Sequence, residues 1–79
     1  IWVFDSTVES LCHGTDLKVP GISKLNNNIN KEETVAIMTL KEELVALGTA
    51  KISSDEMMKE KGLAVQTEKV FMMPGVYKT

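Results

Sequence analysis

Twelve consecutive residues, Leu11-Cys12-His13-Gly14-Thr15-Asp16-Leu17-Lys18-Val19-Pro20-Gly21-Ile22, restrict what this chain can fold into more than any other part of it. In that span a helix has to end, a glycine has to turn the backbone, a short extended run has to form, and Pro-Gly has to turn it again. So many changes of direction in so few residues leave no room for a long helix or a long strand. The fold must be assembled from short pieces packed closely around one small core.

The remaining punctuation fits that reading. Ile1-Trp2-Val3-Phe4 looks like a strand already under way, and Asp5-Ser6-Thr7-Val8-Glu9 offers Ser6 as a helix N-cap with Glu9 completing a capping box. Val8, Leu11 and Cys12 recur at helical spacing, and Gly14 is placed to end the helix in the left-handed region. Asp16 to Val19 alternates polar and apolar like a half-exposed strand, and Ile22 and Leu25 return to the core. In the polar turn Asn26 to Asn30, Asn28 is the candidate for left-handed backbone.

Thr34 to Leu40 and Leu44 to Ile52 are extended apolar runs around a charged turn, Lys41-Glu42-Glu43, and together predict a hairpin. Leu44, Ala46, Gly48, Ala50 and Ile52 share one face, whose small side chains suggest a bulge or a close approach by another element. A second helix is predicted to open at Ser53 or Ser54, with Asp55 and Glu56 in its first turn, and to stop near Gly62. A last strand follows from Leu63 to Met73, before Pro74-Gly75. The sum is a mostly β, α+β fold: a small barrel of mixed strands with two short helices.

Composition sets the outer limits. Seventy-nine residues allow a single domain, 1–79, that buries roughly 60% of its unfolded surface. No apolar run approaches the ~18 residues of a membrane-spanning helix. Cys12 stands alone, so no internal disulfide forms, and the Cys and His present are too few for a structural zinc site. With no initiator Met and a strand at its first residue, the chain reads as a piece of a longer protein. Nine lysines, no arginine and a net charge of −2 depart from the usual basic signature of a nucleic-acid binder, so any such role needs lysines gathered locally, with Lys18, Lys24, Lys69 and Lys78 as candidates.

Little in the chain points to catalysis. Cys12 and His13 are sequence neighbours that diverge by about 100° on a helix, which argues against a thiolate–imidazole pair. Asp5 is accounted for by the helix start and Asp16 by the turn, and no glycine-rich phosphate motif occurs. The five methionines and Trp2 read mainly as core, and aromatics at 5% disfavour a sheet tiled with stacking rings. No cofactor is implied. The turn from His13 to Ile22 differs in kind, because two glycines and a proline expose backbone amides and carbonyls that a nucleotide could approach closely.

Those residues also carry a resemblance. Trp2-Val3, Asp5-Ser6, Leu11-Cys12-His13-Gly14, Val19-Pro20-Gly21-Ile22-Ser23-Lys24-Leu25, Ala36-Ile37-Met38-Thr39-Leu40-Lys41, Ala46-Leu47-Gly48 and Glu68-Lys69-Val70-Phe71-Met72 together resemble the PUA domain of archaeal dyskerin-type pseudouridine synthases. The resemblance implies a PUA-type pseudo-barrel that grips the 3′ ACA and lower stem of an H/ACA guide RNA, while the catalytic domain of the same polypeptide forms pseudouridine in rRNA or tRNA. It implies other H/ACA ribonucleoprotein proteins as partners, no membrane, and an archaeal cytoplasmic setting. Carried onto this sequence, the RNA-binding surface is His13, Gly14, Thr15, Asp16, Leu17, Lys18, Val19, Pro20, Gly21, Ile22 and Lys24, facing Val70, Met72, Tyr77 and Lys78. The chain departs from the family pattern at Glu42 and at Glu32, which stand in turns where relatives usually carry glycine, and at Tyr77-Lys78-Thr79, where a proline normally follows the tyrosine. Two rival expectations are a structural or protein-interaction module packed on a catalytic domain, and a PUA domain of another tRNA-modifying enzyme.

Overall fold

A computed structural model describes residues 1–59 and 62–77. Six strands form one sheet, in the order β2-β6-β5-β4-β1-β3. They are β1 (Trp2–Val3), β2 (Leu17–Lys18), β3 (Ile22–Lys24), β4 (Thr34–Met38), β5 (Leu44–Ala50) and β6 (Leu63–Val70). Two helices, α1 (Asp5–Cys12) and α2 (Ser54–Met57), accompany them. β1 runs parallel to β4, and the other pairings are antiparallel. The sheet's two edge strands, β2 and β3, are separated in sequence only by a 3₁₀ turn, Val19–Gly21. Such a short connection forces the edges together, so the sheet curls into a pseudo-barrel closed by a turn where the sequence suggested edge pairing.

Apolar residues from every side meet inside. Val3, Val8, Leu11, Leu17, Ile37, Val45, Ala46, Ala50, Ala64 and Val65 have no exposed surface. The hairpin predicted from Thr34 to Ile52 is present, with Thr34 opposite Thr49 and Ile37 opposite Ala46. Its face differs at one end. Because Ile37 pairs with Ala46 while Met38 pairs with Leu44, Val45 is an extra residue on β5, and this bulge turns Val45 inward and leaves Leu44 exposed. Gly48 answers the expectation of a close approach: a Cβ there would lie 2.5 Å from the Gln66 carbonyl oxygen and 2.6 Å from Val65 Cγ1.

Other expectations shift for identifiable reasons. α1 begins before Ser6, with Phe4 as N-cap and no side-chain cap; Glu9, the proposed capping partner, is engaged by His13 and Gly75 instead. The capping box appears on α2, where Ser53 Oγ accepts from Glu56 N–H and the Glu56 carboxylate accepts from Ser53 N–H. These bonds to the ionised form hold the Glu56 carboxyl below its ordinary pKa. α2 ends at Met57, short of Gly62, and β6 ends at Val70, short of Met73. The alternation from Asp16 to Val19 yields only a two-residue strand, because Pro20 draws Val19 into the 3₁₀ turn. Met58 and Met73 are exposed and stand outside the core expected for them. Left-handed backbone occurs at Gly14 and Asn28, as the sequence suggests, and also at Glu32 and Glu42.

Candidate functional site

The stretch that most constrains the sequence also builds the site. α1 packs Val8, Leu11 and Cys12 into the core, which leaves Thr7 and Ser10, three residues apart, on a common outward face. Gly14, at φ +89°, reverses the chain after His13. Thr15 Oγ1 then donates to the Ser10 carbonyl at 2.8 Å. Across from the helix, Thr67 on β6 holds the loop by two bonds, its N–H to the Asp16 carboxylate at 3.0 Å and its hydroxyl to the Thr15 carbonyl at 2.8 Å. Leu17 plugs the core beneath, and the chain returns to the helix at Gly21, whose carbonyl accepts from Phe4 N–H at 3.0 Å.

Between these walls lies an open groove of about 300 Å³ lined by Thr7, Ser10, Thr15, Asp16, Lys18 and Gly21. Gly21 keeps it open at its inner end, since a Cβ there would meet the Thr7 side chain at 2.9 Å. Hydroxyls dominate the walls, with the Lys18 ammonium and the Asp16 carboxylate as the two charges. Asp16 already accepts a backbone N–H.

The segment after β6 lies along another face of α1. Gly75 N–H donates to Glu9 at 3.0 Å, and the Tyr77 hydroxyl donates to Asp5 at 2.6 Å. That bond to Asp5 is the main reason the Tyr77 hydroxyl is pushed above its ordinary pKa, with desolvation adding to it. α1 therefore sits between the groove and the tail, its hydroxyls serving one and its carboxylates the other.

Comparison with known proteins places this arrangement. The PUA domain family matches residues 1–71. The chain belongs to the PUA domain family. It is 58% identical over 73 residues to the probable tRNA pseudouridine synthase B of Pyrococcus furiosus, a match that covers 91% of this chain and 22% of that protein. The chain thus spans about a fifth of the length of the curated relatives it matches. Among solved structures, an archaeal box H/ACA Nop10-Cbf5 complex superposes with a TM-score of 0.95 at 55% identity, covering all of this chain and 26% of that one. An H/ACA ribonucleoprotein bound to a substrate RNA containing 2′-deoxyuridine does so at 0.94 and 54% identity, covering 98% of this chain and 25% of that one.

Within this PUA domain the residues singled out in the sequence fall into three groups. Thr15, Asp16, Lys18 and Gly21 line the groove with Thr7 and Ser10. Val19, Ile22 and Lys24 line a second depression of about 370 Å³, together with Leu25, Asn27 and Met58. The others line neither. His13 is exposed at the helix end with Nε2 3.1 Å from the Glu9 carboxylate, Gly14 and Pro20 are exposed in turns, and the Leu17 side chain is buried. Val70, Met72 and Tyr77 are half-buried and pack on the core; Lys78 lies outside the described residues.

Lys18 faces the groove, the Lys24 ammonium sits 4.8 Å from the centre of the Trp2 ring, and the Lys69 ammonium 5.2 Å from that of Phe71. Cys12 is buried while His13 is exposed, so the two do not form a catalytic couple. Burial and the nearby Glu9 charge push the Cys12 thiol up, away from the thiolate. Among the described residues no group of His, Cys, Asp or Glu is arranged to hold a metal, and no helix is long and apolar enough to cross a membrane. Thr7 and Ser10 escaped the sequence reading, although their spacing on a helix with a buried opposite face was a usable signal.

Proposed function

We propose that this PUA domain is the RNA-holding part of an archaeal H/ACA-type pseudouridine synthase, and that the groove between α1 and the Gly14–Gly21 loop receives the unpaired ACA at the 3′ end of a guide RNA. The observation that carries the reading is the groove itself: it is open, hydroxyl-lined, and built from the loop that the sequence marks as a binding turn. Thr7, Ser10 and Thr15 supply donors and acceptors for base edges, and Gly21 lets the backbone come close. Lys18 meets a phosphate, while Lys24 and the Val19–Ile22 turn extend the contact toward the lower stem. Val70, Met72 and Tyr77 support the opposite side. The similarity to chains in H/ACA complexes, one of them bound to RNA, supports the same assignment.

On this reading the domain anchors RNA and the chemistry belongs to a catalytic domain elsewhere in a longer polypeptide, which works in the archaeal cytoplasm beside other H/ACA proteins. The overall charge of −2 limits the electrostatic share of binding. With four phosphate contacts, log K against log salt should slope at about −3 to −4. The test is a titration of the domain with a hairpin bearing a 3′ ACA tail and with one whose tail is scrambled. Equal affinities would sink the proposal.

A second reading draws support from exposed apolar side chains at one end of the molecule. Leu40 and Leu44 flank the β4–β5 turn and Phe71, Met73 and Val76 follow β6, a distribution suited to protein contact. In that case the domain docks on protein and touches RNA incidentally, and both hairpins bind equally weakly.

A further inference from the structure

α1 is eight residues long, too short for a helix to persist without support from its neighbours. It has no side-chain cap at its start and no basic residue in its last turn. Val8, Leu11 and Cys12 hold one face by packing on the core. Another face is held by the segment that follows β6, and the bonds there are polar.

That segment is anchored at both ends. Where it leaves β6, the Phe71 and Met72 N–H groups reach the Val45 carbonyl at 2.8 and 3.2 Å. Farther on, the Gly75 N–H donates to Glu9 Oε1, while Glu9 Oε2 lies 3.1 Å from His13 Nε2, so one carboxylate joins the segment to the residue that opens the groove loop. One turn earlier in α1, Asp5 Oδ1 accepts the Tyr77 hydroxyl at 2.6 Å. Thr39 and Glu43 of the β4–β5 turn act on the same hydroxyl, and the Lys41 ammonium lies 5.3 Å from the centre of the ring. The turn is braced by its own bonds, since the fully buried Thr39 accepts the Lys41 and Glu43 N–H groups at its Oγ1, each at 3.1 Å. Tyr77 therefore ties the start of α1 to a fixed part of the sheet.

From Asp5 the connection runs directly into the groove. The preceding residue, Phe4, donates its N–H to the Gly21 carbonyl at 3.0 Å, and its own carbonyl accepts the Thr7 N–H at 2.9 Å. Phe4 thus carries both sides of the groove's inner end. There Thr7 and Gly21 face each other so closely that a Cβ on Gly21 would lie 2.9 Å from Thr7 Oγ1 and Cγ2. A shift of the first helical residue passes through Phe4 to both walls, along a contiguous run of bonded groups.

We infer that the segment 74–77 is a clasp that sets the first turn of α1, and that Tyr77 is a positioning residue for the groove, acting through Asp5 without touching the ligand. Its consequence for binding rests on the reading of the groove as an RNA site. Tyr77 lines neither depression and its hydroxyl is engaged by Asp5, so its influence on a bound nucleotide travels through the helix.

Hydrogen exchange of the free chain and RNA titration test this together. Tyr77→Phe keeps the ring and removes only the hydroxyl; Asp5→Asn weakens the acceptor. In both variants the Phe4 and Thr7 amides should exchange faster by about fivefold relative to that of Ile37 in the β4–β5 ladder, the equivalent of one ordinary hydrogen bond lost locally. Rates that rise in equal proportion at all three amides would mean that the bond holds the fold as a whole, and would overturn the inference. Affinity for the hairpin with a 3′ ACA tail should fall by about fivefold in either variant and by no more in the double variant, because both substitutions cut one path. A double variant about 25-fold weaker would mean that Tyr77 meets RNA on its own account, which overturns the inference as well. If the unaltered chain binds the ACA and scrambled hairpins equally, the RNA reading fails, and the exchange ratio still decides the clasp.

Discussion

The two halves of this molecule are held by different forces. The β4–β5–β6 meander is a continuous ladder whose inward positions, among them Val35, Ile37, Ala46, Ala50 and Val65, are apolar and buried, so its geometry follows from pattern and packing. The loop between α1 and β3 has Leu17 as its one fully buried residue and is fixed mainly by polar bonds, from Thr15 to Ser10 and from Thr67 to Thr15 and Asp16. One half is solid because it hides its side chains. The other remains available to a ligand because its bonds lie at its ends and leave the groove-facing hydroxyls at the surface.

The same substitution placed in each half should separate the two regimes most sharply. Gly48→Ala sets a methyl against the Gln66 carbonyl in a paired strand, where neither backbone can yield, and should cost about 3 kcal/mol. For a domain this size that corresponds to a fall in melting temperature of roughly 12–24 °C. Gly21→Ala meets instead the end of the Thr7 side chain at 2.9 Å and Leu17 Cδ1 at 3.3 Å, groups that can rotate or shift slightly. Its cost should be about 1 kcal/mol or less, with the main loss falling on RNA affinity because Thr7 is displaced into the groove. Thermal melts of the two variants check the order, and comparable losses would show that the loop is as rigid as the meander.

Lys18 probes the open half alone. Its side chain is exposed and lines the groove, so Lys18→Gln should leave the melting temperature unchanged. The dependence of log K on log salt should flatten by about one unit, the contribution of a single phosphate contact. An unchanged slope would take Lys18 off the RNA surface and shift weight to the hydroxyls.

The same division governs what could be read from the chain. The hairpin and the start of α2 at Ser53 were legible because periodicity and helix-start signals are local, whereas the capping box was expected at Ser6 and Glu9 and forms at Ser53 and Glu56. Leu44 lies off the face that simple alternation predicts because one bulge residue, Val45, inverts the alternation, and a bulge depends on the partner strand's register. Ser6 was a plausible cap, but its intended partner Glu9 is drawn away by Gly75, a residue 66 positions on. At the site the turn was visible and its lining was only half so. Thr15, Asp16, Lys18 and Gly21 follow from the motif, whereas Thr7 and Ser10 matter because the helix happens to face that loop. The ring that Lys24 settles over, Trp2, is brought to it by the β1–β3 pairing, which chain order alone does not show.

A smaller effect bears on the solid half. Glu42 adopts φ +64° in the β4–β5 turn, a backbone region costly for any residue with a Cβ. Relief of that strain in Glu42→Gly is partly offset by the greater freedom of glycine in the unfolded chain, leaving a net gain of about 0.5 kcal/mol. A rise of a few degrees in melting temperature is the expected result, and a fall would mean that the Glu42 side chain contributes more to the turn than its backbone costs.

The finest distinction concerns the tail, which joins the two halves through α1. Tyr77 is the only tyrosine, so its ionisation can be followed directly by tyrosinate absorbance. The hydroxyl is raised above its ordinary value of 10.0 chiefly because it donates to Asp5, and a raised folded pKa means that the contact stabilises the fold fully below pH 10 and is lost as pH climbs through the higher folded value. The titration midpoint should therefore lie above that of free tyrosine, and Asp5→Asn should bring it back down, since a neutral amide holds the hydroxyl less tightly and adds no charge repulsion. If the midpoint is ordinary in both proteins, the tail is not fastened to the helix in solution. Groove and tail would then act as independent surfaces, and substitutions on the tail face of α1 should leave RNA binding untouched.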